Sequence, residues 1–305
     1  MPTPINRREC LQFTAAALLR APALAAEKPS MLSFGFSLYG MRSLALNEAL
    51  SACAQIGYDA VELAVMPDWP ADPRKLGKDD RKRLRERLVD LKLTLPALME
   101  NTPLDGDDVR HKAQLDRLKA AAELGHELSR DHPPLIETIL GGKPDEWDKR
   151  KETFATRLAD WAKLAETAKT VIAVKPHRMG AMNRPEHCLW LLEQIKSPWI
   201  RLAYDWSHFE QRDLMMKDTV KSLMPMTRFV HVKDTVIEKG QARFVLPSEG
   251  TTDYNALLQL LRDNAYSGCV CVEVSGMVSS KKDYDPLAAA KKCYEKLKPA
   301  FNMAK

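Results

Sequence analysis

Short apolar runs alternate with amphipathic stretches along most of the chain. The runs are rich in aliphatic and β-branched residues, as buried strands are, and the stretches between them place apolar residues three and four apart, as helices do. The pattern predicts eight strands, over residues 33–38, 59–64, 93–98, 135–140, 171–175, 200–205, 228–233 and 269–274. It predicts helices over residues 46–56, 79–91, 109–124, 151–168, 185–195, 213–223, 254–262 and 286–297.

Eight strand–helix units in succession indicate an α/β fold, the (β/α)8 TIM barrel, which takes about 250 residues. The chain has 305 residues, 45% of them hydrophobic, so it is long enough for one such domain. A doubly wound sheet is the alternative, but it does not normally require eight evenly spaced units. We therefore expect a single barrel domain over residues 26–305.

The first 25 residues have the pattern of an export signal. Arg7 and Arg8 precede a short apolar stretch, and small residues follow up to Ala26. This pattern is typical of a twin-arginine signal peptide, which predicts a periplasmic or otherwise exported protein. The alternative is an amphipathic helix of the mature chain.

Charge and composition exclude several classes of partner. The net charge of +5 is mild, and no basic stripe carries interleaved aromatic residues, so a nucleic-acid partner is not expected. No stretch reaches the ~18 apolar residues that span a bilayer, so a membrane partner is not expected either. Association into a homo-oligomer is left open.

Polar residues collect at the ends of the last four predicted strands. Successive strand residues point to opposite faces, and the carboxyl ends of barrel strands carry the chemistry. The face away from the aliphatic residues carries Lys175, Asp205, His231 with Lys233, and Glu273, one group from each strand. We therefore expect these side chains to point toward one another.

Asp205, His231 and Glu273 are one imidazole and two carboxylates. Such a set suits a divalent metal ion, Mn²⁺, Co²⁺, Mg²⁺, Zn²⁺ or Fe²⁺, with positions left open for substrate oxygens. The alternative is that the three residues are buried polar groups in a salt-bridge network with Lys175 and Lys233. Both interpretations place them in one cluster.

Four segments carry a likeness to a known family: YDWSHF at 204–209, FVHVKD at 229–234, LPSEGTTDY at 246–254 and VEVS at 272–275. In this order and spacing they resemble the xylose-isomerase-like superfamily of sugar isomerases and epimerases, from about Phe34 to Tyr294. The resemblance implies a metal-dependent barrel that acts on a small sugar or polyol. It implies that Asp205, His231 and Glu273 are metal ligands.

The resemblance also implies substrate-binding residues at the same mouth. The family has a substrate-contacting histidine three residues after the sixth-strand aspartate, which corresponds to His208. Trp206 beside it offers an aromatic face of the kind a sugar pocket uses. Lys233, just past His231, and His177, two residues after Lys175, are the other candidates for substrate binding.

Two further acidic residues are weaker candidates. Glu137 on the fourth strand is acidic in an apolar run and is a candidate lumen residue, although its parity relative to the strand end is not fixed. Glu62 at the second strand is a candidate for binding a sugar hydroxyl, but carboxylates there are more often solvated or cap a helix.

One residue departs from the family pattern. The family has a glutamate at the end of the fifth strand, where it is a metal ligand and an acid/base residue, and this chain has Lys175. The metal is expected to remain on three ligands, with Lys175 as a base or hydrogen-bond donor. Alternatively, His177 replaces the missing ligand, or the Lys175 ammonium replaces the metal and pairs with Glu273 and Asp205.

These residues predict a metal-dependent sugar isomerase or epimerase. The metal would polarise a carbonyl, and Glu273 or Lys175 would remove the proton from the neighbouring carbon to give an enediolate. The alternatives are a lyase on keto-glycosides that shares this intermediate, and a sugar-binding protein without catalysis in which Lys175 marks a degenerate site.

Overall fold

The computed structural model describes residues 32–210 and 212–302. The strands are β1 (Ser33–Ser37), β2 (Ala60–Ala64), β3 (Thr94–Met99), β4 (Leu135–Ile139), β5 (Ile172–Lys175), β6 (Ile200–Asp205), β7 (Thr227–Val232), β8 (Asp234–Glu238), β9 (Gln241–Val245) and β10 (Cys269–Val272). All except β8 and β9 pair in parallel and close into a barrel in which β10 joins β7 to β1. The predicted (β/α)8 barrel is confirmed. The export signal predicted for residues 1–25 lies outside the described residues.

The barrel is surrounded by helices α1 (Leu46–Ile56), α2 (Lys78–Asp90), α3 (Asp108–Leu128), α4 (Trp147–Ala168), α5 (Pro185–Ile195), α6 (Met216–Leu223), α7 (Tyr254–Asp263), the short α8 (Gly276–Ser279) and α9 (Pro286–Asn302). The predicted helix 109–124 continues past Gly125 to Leu128. A Cβ added at Gly125 would lie 3.1 Å from Pro134, so this position has little room for a side chain. The glycine is therefore a point of close packing rather than a helix end. Within the described residues, no helix is long and apolar enough to cross a membrane.

Alternation along the strands divides the apolar residues into an inner and an outer set. The outward residues, such as Val174 and Leu202, join the core between the barrel and its helices, where Phe154 and Trp161 are fully buried. The inner set is mostly small and comprises Ala60, Ala97, Ala173, Ala203, Phe229, Cys269 and Cys271. Phe229 is the largest of these, and its ring lies edge-on to His231 with the centroids 4.9 Å apart. It forms the floor beneath the polar cluster.

A hairpin that the sequence patterns did not predict follows β7 directly. Strands β8 and β9 pair antiparallel, with Glu238 opposite Gln241. Lys239 and Gly240 make the turn with φ of 51° and 78°, the left-handed conformation that two-residue hairpin turns require. A Lys-Gly pair is a weaker turn signal than Asn-Gly or Asp-Gly, and the five-residue strands are half exposed, so the pattern is faint.

Asp234, the first residue of the hairpin, fixes the loop that follows it. Its Oδ1 accepts hydrogen bonds from the backbone N–H of Thr235 and Thr252, at 3.0 and 3.1 Å, and its Oδ2 accepts one from Ser248 at 3.1 Å. The hairpin thereby holds Phe244 over the mouth of the barrel, where the ring is buried against His208 with the centroids 5.2 Å apart.

We expect Phe229→Ala to lower the free energy of unfolding by about 3–5 kcal/mol, because it leaves a cavity among small residues that cannot fill it. Denaturant unfolding measures the change. The control is Val89→Ala on α2, where the side chain is 71% exposed, and it should shift stability by less than about 0.5 kcal/mol. Equal small effects of both substitutions would contradict a packed lumen.

Candidate active site

The ends of four strands bring their polar residues together as the strand alternation predicts. Asp205 ends β6, His231 lies on β7 and Glu273 follows β10, and one ligand atom from each lies within 4.8 Å of the others. Asp205 and His231 are fully buried, whereas Glu273 retains 9% exposure. The cluster therefore lies below the barrel mouth, with Glu273 nearest to solvent.

Lys175, at the end of β5, is the centre of the cluster. Its Nζ lies 2.9 Å from Glu273 Oε2, 3.1 Å from Glu137 Oε1 and 3.1 Å from His231 Nδ1. Burial alone would lower the pKa of Lys175, but the carboxylates of Glu137 and Glu273 outweigh it and raise the pKa above its ordinary value. Lys175 is therefore an ammonium group at neutral pH and a hydrogen-bond donor rather than a base.

Lys233, the residue after β7, supplies a second cation from the opposite side. Its Nζ donates hydrogen bonds to Asp205 Oδ2 and to Glu273 Oε2, the latter at 2.9 Å. The Nζ also lies over the ring of Phe244, 5.0 Å from its centroid. Asp205 Oδ1 is occupied as well, because it accepts hydrogen bonds from the backbone N–H and the hydroxyl of Ser207, at 3.0 and 2.6 Å.

Glu273 is held as a carboxylate. Burial would raise its pKa, but Lys175, Lys233 and His231 together bring the pKa well below its usual range. Both lysines donate to the same oxygen, Oε2. Residues 32–210 and 212–302 form no hydrogen bond with the second oxygen, Oε1, which leaves it available to a bound molecule.

The two weaker acidic candidates belong to the cluster. Glu62 is fully buried, and its Oε2 lies 2.9 Å from His231 Nε2 and accepts a 2.5 Å hydrogen bond from the hydroxyl of Ser37. Burial would lower the pKa of His231, but the carboxylates of Glu62 and Glu273 raise it above its ordinary value. Glu137 is fully buried too, and burial raises its pKa against the pull of Lys175.

The interpretation of Glu62 as a solvated carboxylate is therefore wrong, and Glu137 is a lumen residue, which the sequence offered as the weaker interpretation. Glu62 lies two residues after the inward-facing Ala60 on β2 and so shares its face, and Glu137 is paired in register with the inward-facing Ala173. This alternation was the available signal in the sequence. It identifies an inward side chain but not its partner, because the pairing of Glu62 with His231 joins strands on either side of β1 and β10.

Two of the predicted substrate-binding histidines lie beside the cluster. The rings of His177 and His208 are 4.3 Å apart, and His208 Nε2 lies 3.2 Å from Lys233 Nζ. The backbone N–H of Arg178 donates to His208 Nδ1 at 3.2 Å. Burial and Lys233 bring the pKa of His208 well below 6.5, which favours the neutral ring.

Trp206 is placed differently from the other substrate-binding candidates. It occupies the turn after β6 and packs with the large apolar core, where it is 8% exposed. Contact of Trp206 and the histidines with a substrate stays a prediction.

The predicted ligands converge, but their donor atoms are already engaged. Asp205 Oδ2 accepts from Lys233, Glu273 Oε2 accepts from both lysines, and His231 Nδ1 faces Lys175. A divalent ion bound about 2.0–2.2 Å from these atoms would lie against the two ammonium groups. The residues as arranged therefore do not fit such an ion, and the divalent metal stays a prediction.

Among the alternatives that the sequence left open, this geometry corresponds to the salt-bridge network in which ammonium groups stand near the carboxylates. It differs in one respect from the alternative in which Lys175 pairs with Glu273 and Asp205. Lys175 pairs with Glu137 and Glu273, and the partner of Asp205 is Lys233. His177 does not belong to any group of converging ligand atoms within the described ranges.

Comparison with known proteins identifies the family. A family model described as xylose isomerase-like TIM barrel matches residues 50–298. The chain belongs to this family. No curated protein matches the sequence.

Solved structures of the xylose isomerase-like family share the fold of this chain at low identity. An L-ribulose 3-epimerase is 18% identical with a TM-score of 0.69, over 90% of this chain and 96% of its own. A 3-keto-D-glucoside 4-epimerase from E. coli is 14% identical with a TM-score of 0.69, over 88% and 99%. An IolI protein with a bound zinc atom is 19% identical with a TM-score of 0.71, over 89% and 100%.

The histidine pair generates a pH prediction. Burial, Lys175 and Lys233 lower the pKa of His177 from 6.5 to about 4. Because the unfolded chain binds this proton near pH 6.5 and the folded chain does not, stability is full above pH 6.5 and falls as the pH drops toward 4. We expect a loss of roughly 2–3 kcal/mol from this residue.

Chemical denaturation of wild type and His177→Gln at several pH values measures the effect, and the variant should lose less stability between pH 6.5 and 4. His132→Gln, at an exposed histidine, is the matched control and should follow wild type. A His177→Gln curve parallel to wild type would contradict the depressed pKa.

Proposed function

We propose that this protein is a sugar isomerase or epimerase that removes a proton from the carbon next to a carbonyl group. The observation that supports this most directly is the ionised carboxylate of Glu273 at the barrel mouth, with two ammonium groups on its inner oxygen. The two epimerases of the same fold act on sugars, as their names state. Membership of the family supports an enzyme of this class.

In the proposed reaction, the free oxygen of Glu273 takes the proton from the carbon. The electron pair of the C–H bond forms a C=C bond, and the carbonyl π electrons move onto the carbonyl oxygen. Lys175 and Lys233 are fixed donors beside that position, and donors arranged in advance stabilise developing negative charge in a buried site. Return of the proton to the other face of the same carbon gives the epimer. The isomer forms when the former carbonyl carbon takes the proton, the hydroxyl proton of the first carbon moves to the other oxygen, and the carbonyl re-forms at the first carbon.

The substrate is expected to lie between the cluster and the aromatic residues above it. Tyr39 and Trp69, which follow β1 and β2, stack with centroids 5.0 Å apart and an interplanar angle of 16°. Burial and the Glu273 carboxylate raise the pKa of Tyr39, which agrees with a phenol close to the site. An aromatic pair on one side and His208 on the other suit a sugar ring, which presents apolar C–H faces and polar edges.

Export is part of the same proposal. If residues 1–25 direct the folded chain out of the cytoplasm, the substrate is an unphosphorylated sugar or glycoside, because sugar phosphates are mainly cytoplasmic. Detection of the processed protein in the periplasmic fraction would support this placement.

A lyase acting on keto-glycosides is the second candidate, and the two lysines favour it. After proton removal, one ammonium group can face the enolate oxygen while the other donates a proton to the oxygen of a leaving group at the β-carbon. As the C–O bond breaks, its electron pair leaves with the protonated leaving group. The enolate oxygen re-forms the carbonyl, and the electron pair of the enolate C=C bond forms a new C=C bond between the α- and β-carbons. The proton that Glu273 took then replaces the one that the lysine gave up. The 3-keto-D-glucoside 4-epimerase shows by its name that a protein of this fold takes such a sugar.

We expect Glu273→Gln to reduce turnover by roughly 10²–10⁴-fold, because the amide cannot accept the substrate proton. The assay incubates ketohexoses, ketopentoses and 3-keto-glucosides with the protein in D₂O and follows deuterium incorporation by NMR. Glu238→Gln on the exposed hairpin is the matched control and should exchange at the wild-type rate. Undiminished exchange by Glu273→Gln would remove this residue from the mechanism.

The same assay separates the candidate functions. Deuterated epimer or isomer supports the first, and release of the aglycone from a 3-keto-glucoside supports the lyase. A sugar that binds without exchange or release would indicate a binding protein and would contradict both enzymatic proposals.

A further inference from the structure

Three acidic or basic side chains of the barrel surround the ammonium group of Lys175. An ammonium group has three N–H donors and no acceptor. Lys175 Nζ hydrogen-bonds with Glu273 Oε2 at 2.9 Å and with His231 Nδ1 at 3.1 Å, and it forms an ion pair with Glu137 Oε1 at 3.1 Å. Each comes from a different strand of the barrel. The surrounding donor set is therefore arranged around the lysine nitrogen.

The tautomer of His231 agrees with this arrangement. Its Nε2 lies 2.9 Å from the buried carboxylate of Glu62, and in the neutral form of the ring that carboxylate holds the one proton on Nε2. The lone pair of Nδ1 then points at Lys175, 3.1 Å away. By binding Nε2, Glu62 thus leaves the Nδ1 lone pair facing Lys175. This is the lone pair that His231 would otherwise use to bind a metal ion.

Lys233 completes the arrangement on the other side. It occupies Asp205 Oδ2 and shares Glu273 Oε2 with Lys175. Each of the three candidate metal ligands therefore has an ammonium group at its inward-facing atom.

We propose that the Lys175 ammonium stands permanently in the place of a divalent metal ion, so that this chain binds no stoichiometric metal at the site. Lys175, supported by Lys233, is the electrophile that binds a substrate oxygen. This inference rests on the contacts of Lys175 and not on the proposed reaction. It describes how this member of the family differs from one that holds zinc.

The test is metal binding by the full chain, read by elemental mass spectrometry and by titration calorimetry with Mn²⁺, Co²⁺ and Zn²⁺. Wild type should carry less than about a tenth of an equivalent after purification, and metal should leave its melting temperature unchanged. Lys175→Glu replaces the ammonium group by a carboxylate beside Asp205, His231 and Glu273, so it should bind about one equivalent and melt at a higher temperature with metal than without.

The matched control is Lys149→Glu, the same change of charge on an exposed residue of α4, which should bind as little metal as wild type. Circular dichroism checks that Lys175→Glu is folded, and the wild-type titration tests the proposal even if that variant does not fold.

One equivalent of metal in wild type, lost in Glu273→Gln, would overturn the proposal. A folded Lys175→Glu protein that remains metal-free would overturn the assignment of metal exclusion to Lys175. Metal binding is measured without substrate, so failure of the proposed isomerase or lyase activity would leave this result independent.

Discussion

The site depends on one carboxylate oxygen shared between two lysines. Glu273 Oε2 lies 2.9 Å from both Lys175 and Lys233, which come from β5 and from the end of β7. A buried charge without partners costs several kcal/mol, so each of these groups requires the others to remain ionised below the barrel mouth. The positions of Asp205, Glu137 and the histidines follow from the same constraint.

Barrel geometry and strand alternation made much of this site predictable. Parity within the strands placed Lys175, Asp205, His231 and Glu273 on one face, because a two-residue period is a property of the local chain. Their meeting at one end followed from the barrel, since the carboxyl ends of parallel strands lie at the same edge. The residues of the cluster could therefore be identified without a structure.

The partners of these residues could not be identified in the same way. Three arrangements of Lys175 were compatible with the sequence, and only distances between side chains of different strands distinguish them. Glu62 and His231 are 169 positions apart in the chain, and no local pattern encodes that pairing. The hairpin was missed for a different reason, because a half-exposed two-stranded ribbon with a Lys-Gly turn carries little periodic signal.

The hairpin gives the barrel mouth a mechanical property. Lys233 is directly followed by Asp234, the first residue of β8. Phe244 on β9, the partner strand of β8, lies against the Lys233 ammonium group. A displacement of the β8–β9 hairpin would therefore move the backbone of Lys233, whose ammonium group hydrogen-bonds to Asp205 and Glu273. Entry of a molecule past the hairpin is therefore coupled to the ion pairs of Lys233 with Asp205 and Glu273. The coupling runs through one peptide bond rather than through a chain of side-chain contacts.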